Sequence, residues 1–243
     1  MGAACPRDRG DLMSEIDRLK QQVAIAAAAR VRSGMLVGLG TGSTAAHLVR
    51  ELGRRLQAGE LHGVRGVPTS LATATLATEV GIPLVELPAE GVDVTIDGMD
   101  EVDGRLDCIK GLGGALTREK IVAAASREFV LIGDLGKRVA TLCERTPVPV
   151  EVLAFGVERT AARLRALGAE PRWRLREGTP VTTDNGHLIV DCHLPLGTSA
   201  EAVRAFAAAV DAVPGVLGHG LFLGLTSRVY LAGPDGIEEL VAG

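Results

Sequence analysis

The chain has 243 residues, enough for one large domain or two modest ones. Hydrophobic residues make up 47% and aromatics only 2%, so the core must come from Val, Leu, Ile and Ala, as suits helices on a parallel sheet buried on both faces. Lys plus Arg number 26 against 30 Asp plus Glu, for a net charge of -4; with no basic run and few rings to stack bases, nucleic acid is excluded as a partner.

Residues 1–10 read as a mobile tail. Ser14-Glu15-Ile16-Asp17 opens a helix, with Ile16, Leu19 and Val23 on one stripe and Gly34 beyond its end. The apolar run at 23–29 is too short to span a bilayer and no signal peptide precedes it, so no membrane association is expected. Residues 35–56 then read as strand, glycine-rich turn and helix. Further strands are expected at 64–69, 83–87, 92–97 and 128–133, alternating with helices around 70–80 and 115–127. Such alternation predicts a doubly wound α/β domain.

After residue 146 the rhythm changes. Strands at 148–153, 171–176, 187–193 and 216–222 and helices at 156–168 and 198–212 follow the order βαββαβ, the ferredoxin-like split arrangement. Asn185-Gly186 supplies a tight turn between paired strands. A last strand at 227–233 returns to the first domain. The expected division is a large domain of residues 1–144 and 223–243 around a small α+β domain of residues 145–222. Cys5, Cys108, Cys143 and Cys192 are scattered, with neither CxxC nor His–Cys metal spacing, which points to a reduced, cytoplasmic setting.

Two segments carry chemistry. In GLGTGSTA (38–45) a glycine turn leads into a helix whose free N–H groups suit an anion, with Ser43 and Thr44 adding hydroxyls. The segment fits G-x-G-x-x-A, but the next strand ends in Pro68-Thr69-Ser70 rather than a ribose-binding acid. This favours a phosphate monoester over a nicotinamide cofactor, with an unliganded turn as the bland alternative. In TIDGMDEVDG (95–104) four carboxylates crowd together. A calcium loop fails because Met99 and Glu101 occupy ligand positions. A transition-metal site is poorly supported without a nearby histidine, which leaves a cationic substrate, a catalytic constellation or a solvated turn.

The segment CIKGLGGALTREK (108–120) adds Lys110 before a glycine turn that opens a helix. The macrodipole disfavours a cation there, so a nearby anion is expected. Glu119 shares the apolar stripe of Leu116 and Val122, where a carboxylate has a raised pKa and suits a general base. The plainer alternative is a helix-rim glutamate in a salt bridge.

Together GLGTGSTA, PTSLATATLA, IDGMDEVD, KGLGGALTREK, VPVEV, TDNG and PGVLGHGLF make the chain resemble ribose-5-phosphate isomerase, type A, over nearly its whole length after residue 14. The resemblance implies a Rossmann-like large domain carrying the active site, a smaller ferredoxin-like domain, assembly as homodimers or homotetramers, and neither metal nor organic cofactor. It implies interconversion of D-ribose 5-phosphate and D-ribulose 5-phosphate through a cis-enediolate, in the non-oxidative pentose phosphate pathway. Glu119 matches the family's base, Asp97 and Asp100 its active-site aspartates, and Lys110 its lysine. Asp97 is the candidate for ring opening, while Lys110 and the Asp100 region stabilise the oxyanion. Substrate contacts are implied for Thr41, Gly42, Ser43, Thr44, Gly98, Met99, Gly111, Leu112, Gly113, Lys20 and Lys137. One departure is Gly136, where the family has a small hydroxyl residue. On this reading Asp97 and Asp100 pair with Lys110, while Glu101 and Asp103 face solvent. A coenzyme A transferase-like enzyme and a non-catalytic sugar-phosphate sensor are the rival readings. The second would have lost Glu119 or Lys110, and both are present.

Overall fold

Local capping starts the fold as the sequence suggests: Ser14 Oγ accepts from the Asp17 N–H at 3.1 Å, satisfying one of the free donors of the first helical turn. The computed structural model describes residues 14–242, so the expected tail at 1–10 and Cys5 lie outside the described residues. The first part of the chain runs α1 (Glu15–Ala28), β1 (Leu36–Leu39), α2 (Ser43–Gln57), β2 (Arg65–Pro68), α3 (Leu71–Glu79), β3 (Val92–Gly98), β4 (Glu101–Val102), β5 (Cys108–Ile109), α4 (Leu116–Ala124) and β6 (Ser126–Asp134). There follow β7 (Val148–Val152), α5 (Val157–Ala166), β8 (Glu170–Trp173), β9 (Leu175–Arg176), β10 (Thr179–Pro180), β11 (Leu188–His193), α6 (Ala200–Asp211) and β12 (Val216–His219). The chain closes with β13 (Leu221–Phe222), β14 (Arg228–Gly233) and β15 (Gly236–Val241).

The large sheet has the order β15-β14-β6-β3-β1-β2 and is parallel except for the β14–β15 hairpin. Alternation along β6 separates its faces. Val130 and Ile132 pack with Val23 and Ala27 of α1 and Leu48 and Leu52 of α2. Phe129 and Leu131 pack on the other side with Ala123 of α4 and with Phe222. Burial on both faces is what an aliphatic, ring-poor composition supports.

A second sheet runs β12-β7-β11-β8, antiparallel throughout. In chain order its strands stand 4-1-3-2, the ferredoxin-like arrangement expected from βαββαβ. Val148, Val150 and Val152 bury against Leu164 of α5 and Phe206 and Val210 of α6. The Asn185-Gly186 turn forms as expected, with Gly186 at φ +81° and the Thr183 N–H donating to His187 O at 2.8 Å.

Several expected elements differ. Residues 83–87 form no strand: only Leu84 bridges to Gly66, and Pro83, lacking an N–H, cannot continue a ladder. The helix expected to 127 stops at Ala124, because Ser126 already begins β6. The strand expected over 171–176 breaks after Trp173, and a short β9–β10 ribbon follows. The strand expected over 216–222 is two strands in two sheets. Gly220 divides them, where an added Cβ would sit 2.1 Å from Lys110 O. There β13 leaves the small sheet and pairs with β5, which pairs with β4. This three-stranded piece carries Lys110 between the two larger sheets. Among the described residues no helix is long and apolar enough to cross a membrane.

Candidate active site

The carboxyl ends of β1 and β3, the turn after β5 and the start of α4 converge on one cavity of about 370 Å³. At the end of β1 the chain turns through Gly42, at φ +108°, directly into α2. Gly42 offers no side-chain cap, so the α2 N-terminus keeps free N–H groups for an anion. Gly40 is required for a different reason. A Cβ there would lie 2.3 Å from Asp97 Oδ1, and only its absence lets Asp97 sit beneath the loop.

Asp97 is fully buried. Its Oδ1 accepts from the N–H groups of Thr41 at 3.0 Å and Gly98 at 2.7 Å. Its Oδ2 faces Lys110 Nζ at 3.0 Å, and Glu119 Oε1 lies 3.3 Å from the same ammonium. Lys110 Nζ also donates to Gly98 O and stands 5.7 Å from the Phe222 ring centroid, a weak further attraction. Glu119 is 4% exposed, on the stripe of Leu116 and Val122 as expected. Its Oε2 is buried without a hydrogen-bond partner among the described residues.

Burial drives the protonation states. It pushes the Glu119 carboxyl up to about 8, with Lys110 opposing and the Asp97 charge adding to the rise. Burial also raises Asp97, against the pull of Lys110 and the two N–H groups. For Lys110 burial acts downward, but Asp97 and Glu119 outweigh it, and the ammonium is held above its usual range.

The rest of the acidic segment differs from expectation. Asp100 does not pair with Lys110; its Oδ2 accepts from the Leu112 N–H at 3.0 Å. Glu101 and Asp103 do not face solvent, being 2% and 6% exposed. Glu101 accepts from the N–H groups of Cys143, Arg145 and Thr146, each at 2.7 Å. Asp103 accepts from those of Arg105 and Asp107 at 2.9 and 3.1 Å. Backbone N–H groups take the place of water around both side chains, and burial raises the Asp103 carboxyl despite its two donors.

The sequence profile described as ribose 5-phosphate isomerase A (phosphoriboisomerase A) matches residues 65–236. The ribose-5-phosphate isomerase A of Roseiflexus castenholzii is 53% identical over 212 residues, covering 86% of this chain and 89% of that one. The chain belongs to the ribose 5-phosphate isomerase A family. Its members are aldose–ketose isomerases. The Deinococcus radiodurans protein of the same name is 44% identical, covering 93% of this chain and 99% of its own. Among solved structures, ribose 5-phosphate isomerase from Plasmodium falciparum superposes with a TM-score of 0.89 at 36% identity, over 93% of this chain and 98% of that one. The enzyme from Methanocaldococcus jannaschii gives 0.86 at 38%, over 93% and 99%.

In this isomerase the cavity is lined by Lys20, Thr41, Gly42, Ser43, Thr44, Gly98, Met99, Asp100, Lys110, Gly111, Gly113, Glu119 and Lys137. Two expected contacts do not reach it. Asp97 is sealed beneath Lys110, and Leu112 turns a half-exposed side chain outward while its N–H holds Asp100. Thr41 Oγ1 is already engaged, 2.7 Å from Thr69 Oγ1 and 2.8 Å from Ser70 Oγ. Three lining residues were not anticipated: Ile16, Asp134 and Gly136. Ile16 shares a stripe of α1 with Leu19 and Val23 but is 58% exposed, one turn before Lys20 on the cavity side. Asp134 ends β6, and its Oδ1 accepts from the Gly136 N–H at 3.0 Å. It thereby shapes the turn that presents Lys137. The D-x-x-K spacing was the available signal for Asp134.

Proposed function

We propose that the protein interconverts D-ribose 5-phosphate and D-ribulose 5-phosphate through a cis-enediolate, with Glu119 as general base. The carrying observation is the state of Glu119: on the cavity wall, raised to about 8, with Oε1 tied to Lys110 and Oε2 without a partner among the described residues. A base poised near neutrality is what proton abstraction next to a carbonyl needs. The substrate phosphate sits at the α2 N-terminus against Gly42, Ser43 and Thr44, with Lys20 and Lys137 adding charge. Its remote binding holds the sugar in register. Because Asp97 is sealed beneath Lys110, ring opening passes to Asp100 on the cavity wall. Glu119 then takes the proton from carbon 2 and returns it to carbon 1, while Lys110 and the Gly111–Gly113 turn face the oxyanion. Fixed donors aimed at developing charge are usually the largest catalytic contribution. A solved D-ribose-5-phosphate isomerase of 34% identity, titled as a complex with phospho-erythronic acid, supports a phosphorylated sugar chain as the occupant.

The reading includes neither metal nor organic cofactor; among the described residues no group of three His, Cys, Asp or Glu side chains could hold a metal ion. It includes a homodimer or homotetramer, supported by large apolar side chains left bare on the single chain, Phe155 and Leu196 above all. A cytoplasmic location is supported by the free thiols Cys108, Cys143 and Cys192. The domain division at 144/145 and 222/223 is supported by the separate core around Val150, Leu164 and Phe206.

Glu119→Gln is the test. It keeps shape and removes the basic oxygen, so turnover should fall ~10²–10⁴-fold with little change in KM. Retention of more than about a tenth of wild-type turnover would remove Glu119 from the role.

A further inference from the structure

We infer that Arg174, carried by the small domain, is a positioning residue for the isomerisation: it holds the Gly111–Gly114 turn in the shape the reaction needs. The inference rests on the catalytic reading above and extends it to a residue outside the cavity. Arg174 follows β8 directly and is mostly buried, its side chain 12% exposed. One edge of the guanidinium is locked to Asp191 of β11, with Nε donating to Oδ2 at 2.9 Å and Nη2 to Oδ1. Nη1 points the other way, across to the large domain. It donates to Gly111 O at 2.7 Å and Leu112 O at 3.1 Å.

Those carbonyls belong to the turn that follows Lys110 and precedes α4. The turn uses left-handed backbone at Gly111 (φ +103°) and Gly114 (φ +86°), a shape with little intrinsic preference for glycine-rich chain. Asp100 restrains it from one side through the Leu112 N–H, and Arg174 restrains it from the other. With both carbonyls drawn toward the guanidinium, Gly111 and Gly113 face the cavity. A planar fork fixed by a bidentate carboxylate is well suited to this, and a lysine is a poorer substitute. Site geometry depends on such supports, since misplacement by about 1 Å can lower a rate ~10²-fold. The phosphate end, held by the α2 N-terminus, is untouched.

The test is steady-state isomerisation of ribose 5-phosphate by full-length Arg174→Met and Arg174→Lys. The Met variant should lose kcat by about 10- to 100-fold with KM within about twofold, since the phosphate contacts remain. The Lys variant should recover part of the loss through one donor to Gly111 O. Loss of thermal stability with unchanged kcat per folded molecule, or a rise in KM alone, would overturn the inference. If Arg174→Met does not fold, Asp191→Asn loosens the same guanidinium and is read by the same criterion. Glu119→Gln run alongside separates the two claims: an active Glu119→Gln beside an impaired Arg174→Met sinks the base and spares Arg174, and the opposite pattern does the reverse.

Discussion

Removing the ammonium at the centre of the site tests the electrostatic account most directly. In Lys110→Met a side chain of similar length stays, but Asp97 and Glu119 lose the cation 3.0 and 3.3 Å away. At those distances each contact represents about 5 kcal/mol of gross Coulomb attraction for an effective dielectric near 20. Burial of the ammonium takes back much of this, and broken buried pairs typically lose about 3–5 kcal/mol. The loss should depend on pH in a defined direction. Both carboxyls are already raised above their ordinary values by burial, and without Lys110 both rise further. Folded Lys110→Met therefore retains protons that the unfolded chain releases above pH ~4.5. Its stability should fall as pH climbs, by up to about 1.4 kcal/mol per pH unit for each proton retained. Urea unfolding of wild type and variant at about pH 5.5 and 8.5 reads this. The gap should be small at the lower pH, reach at least about 3 kcal/mol at the higher, and accompany loss of turnover at both. A gap independent of pH, or below about 1 kcal/mol at the higher pH, would refute the view that Lys110 neutralises two buried carboxylates.

The same carboxyl sets the pH profile: kcat/KM should rise as pH climbs through about 8, where Glu119 loses its proton, and a profile flat from about pH 6.5 to 9 would contradict a raised base. Because folding raises this pKa from its ordinary value, Glu119 stabilises the fold at low pH and that contribution is lost as pH rises toward about 8. Lys20→Ala should raise KM about tenfold or more with kcat nearly unchanged, as expected for a charged contact to the distant phosphate; a fall in kcat alone would place Lys20 elsewhere. Glu101→Ala should destabilise the protein by at least about 3 kcal/mol in chemical denaturation, since three N–H groups lose one charged acceptor. A loss under about 1 kcal/mol would mean the 142–146 segment is held by other contacts.

Much of this fold is legible because its signals are local. Alternating strands and helices, the glycine turn before α2 and the βαββαβ order each follow from periodicity within a short window. What escapes reading depends on distant chain. Residues 221–222 leave the small sheet after Gly220 to pair with 108–109, a partner more than a hundred residues away in the chain that no window near 221 could reveal. Glu101 looks like a solvated turn carboxylate until residues 143–146 fold over it and donate three N–H groups. Ile16 fits an apolar stripe, yet the cavity leaves that end of α1 uncovered. The site itself was more legible than its supports. Glu119 stands out as a charge on an apolar stripe and Lys110 as a cation at a helix start, violations of local preference that function explains. Arg174, a small-domain arginine on an ordinary strand end, violates nothing.

The two carboxylates beside Lys110 are chemically alike, and their surroundings divide the labour between them. Asp97 has two N–H donors on Oδ1 and the ammonium at Oδ2. Each favours the charged form, and with the side chain wholly covered no substrate atom can reach it. Glu119 receives only the ammonium, at 3.3 Å, and its second oxygen has no donor among the described residues. Donors to a carboxylate lower its pKa and their absence leaves desolvation unopposed. On the proposed mechanism the proton that comes and goes sits on Glu119, while Asp97, also raised by burial but holding two N–H donors, keeps Lys110 in place. This asymmetry is the reason for proposing a base from the helix rather than from the acidic turn, although the turn holds more carboxylates. It also means that Asp97→Asn should impair the enzyme by loosening Lys110, and should move the rise of kcat/KM to lower pH, because the Asp97 charge is part of what raises Glu119.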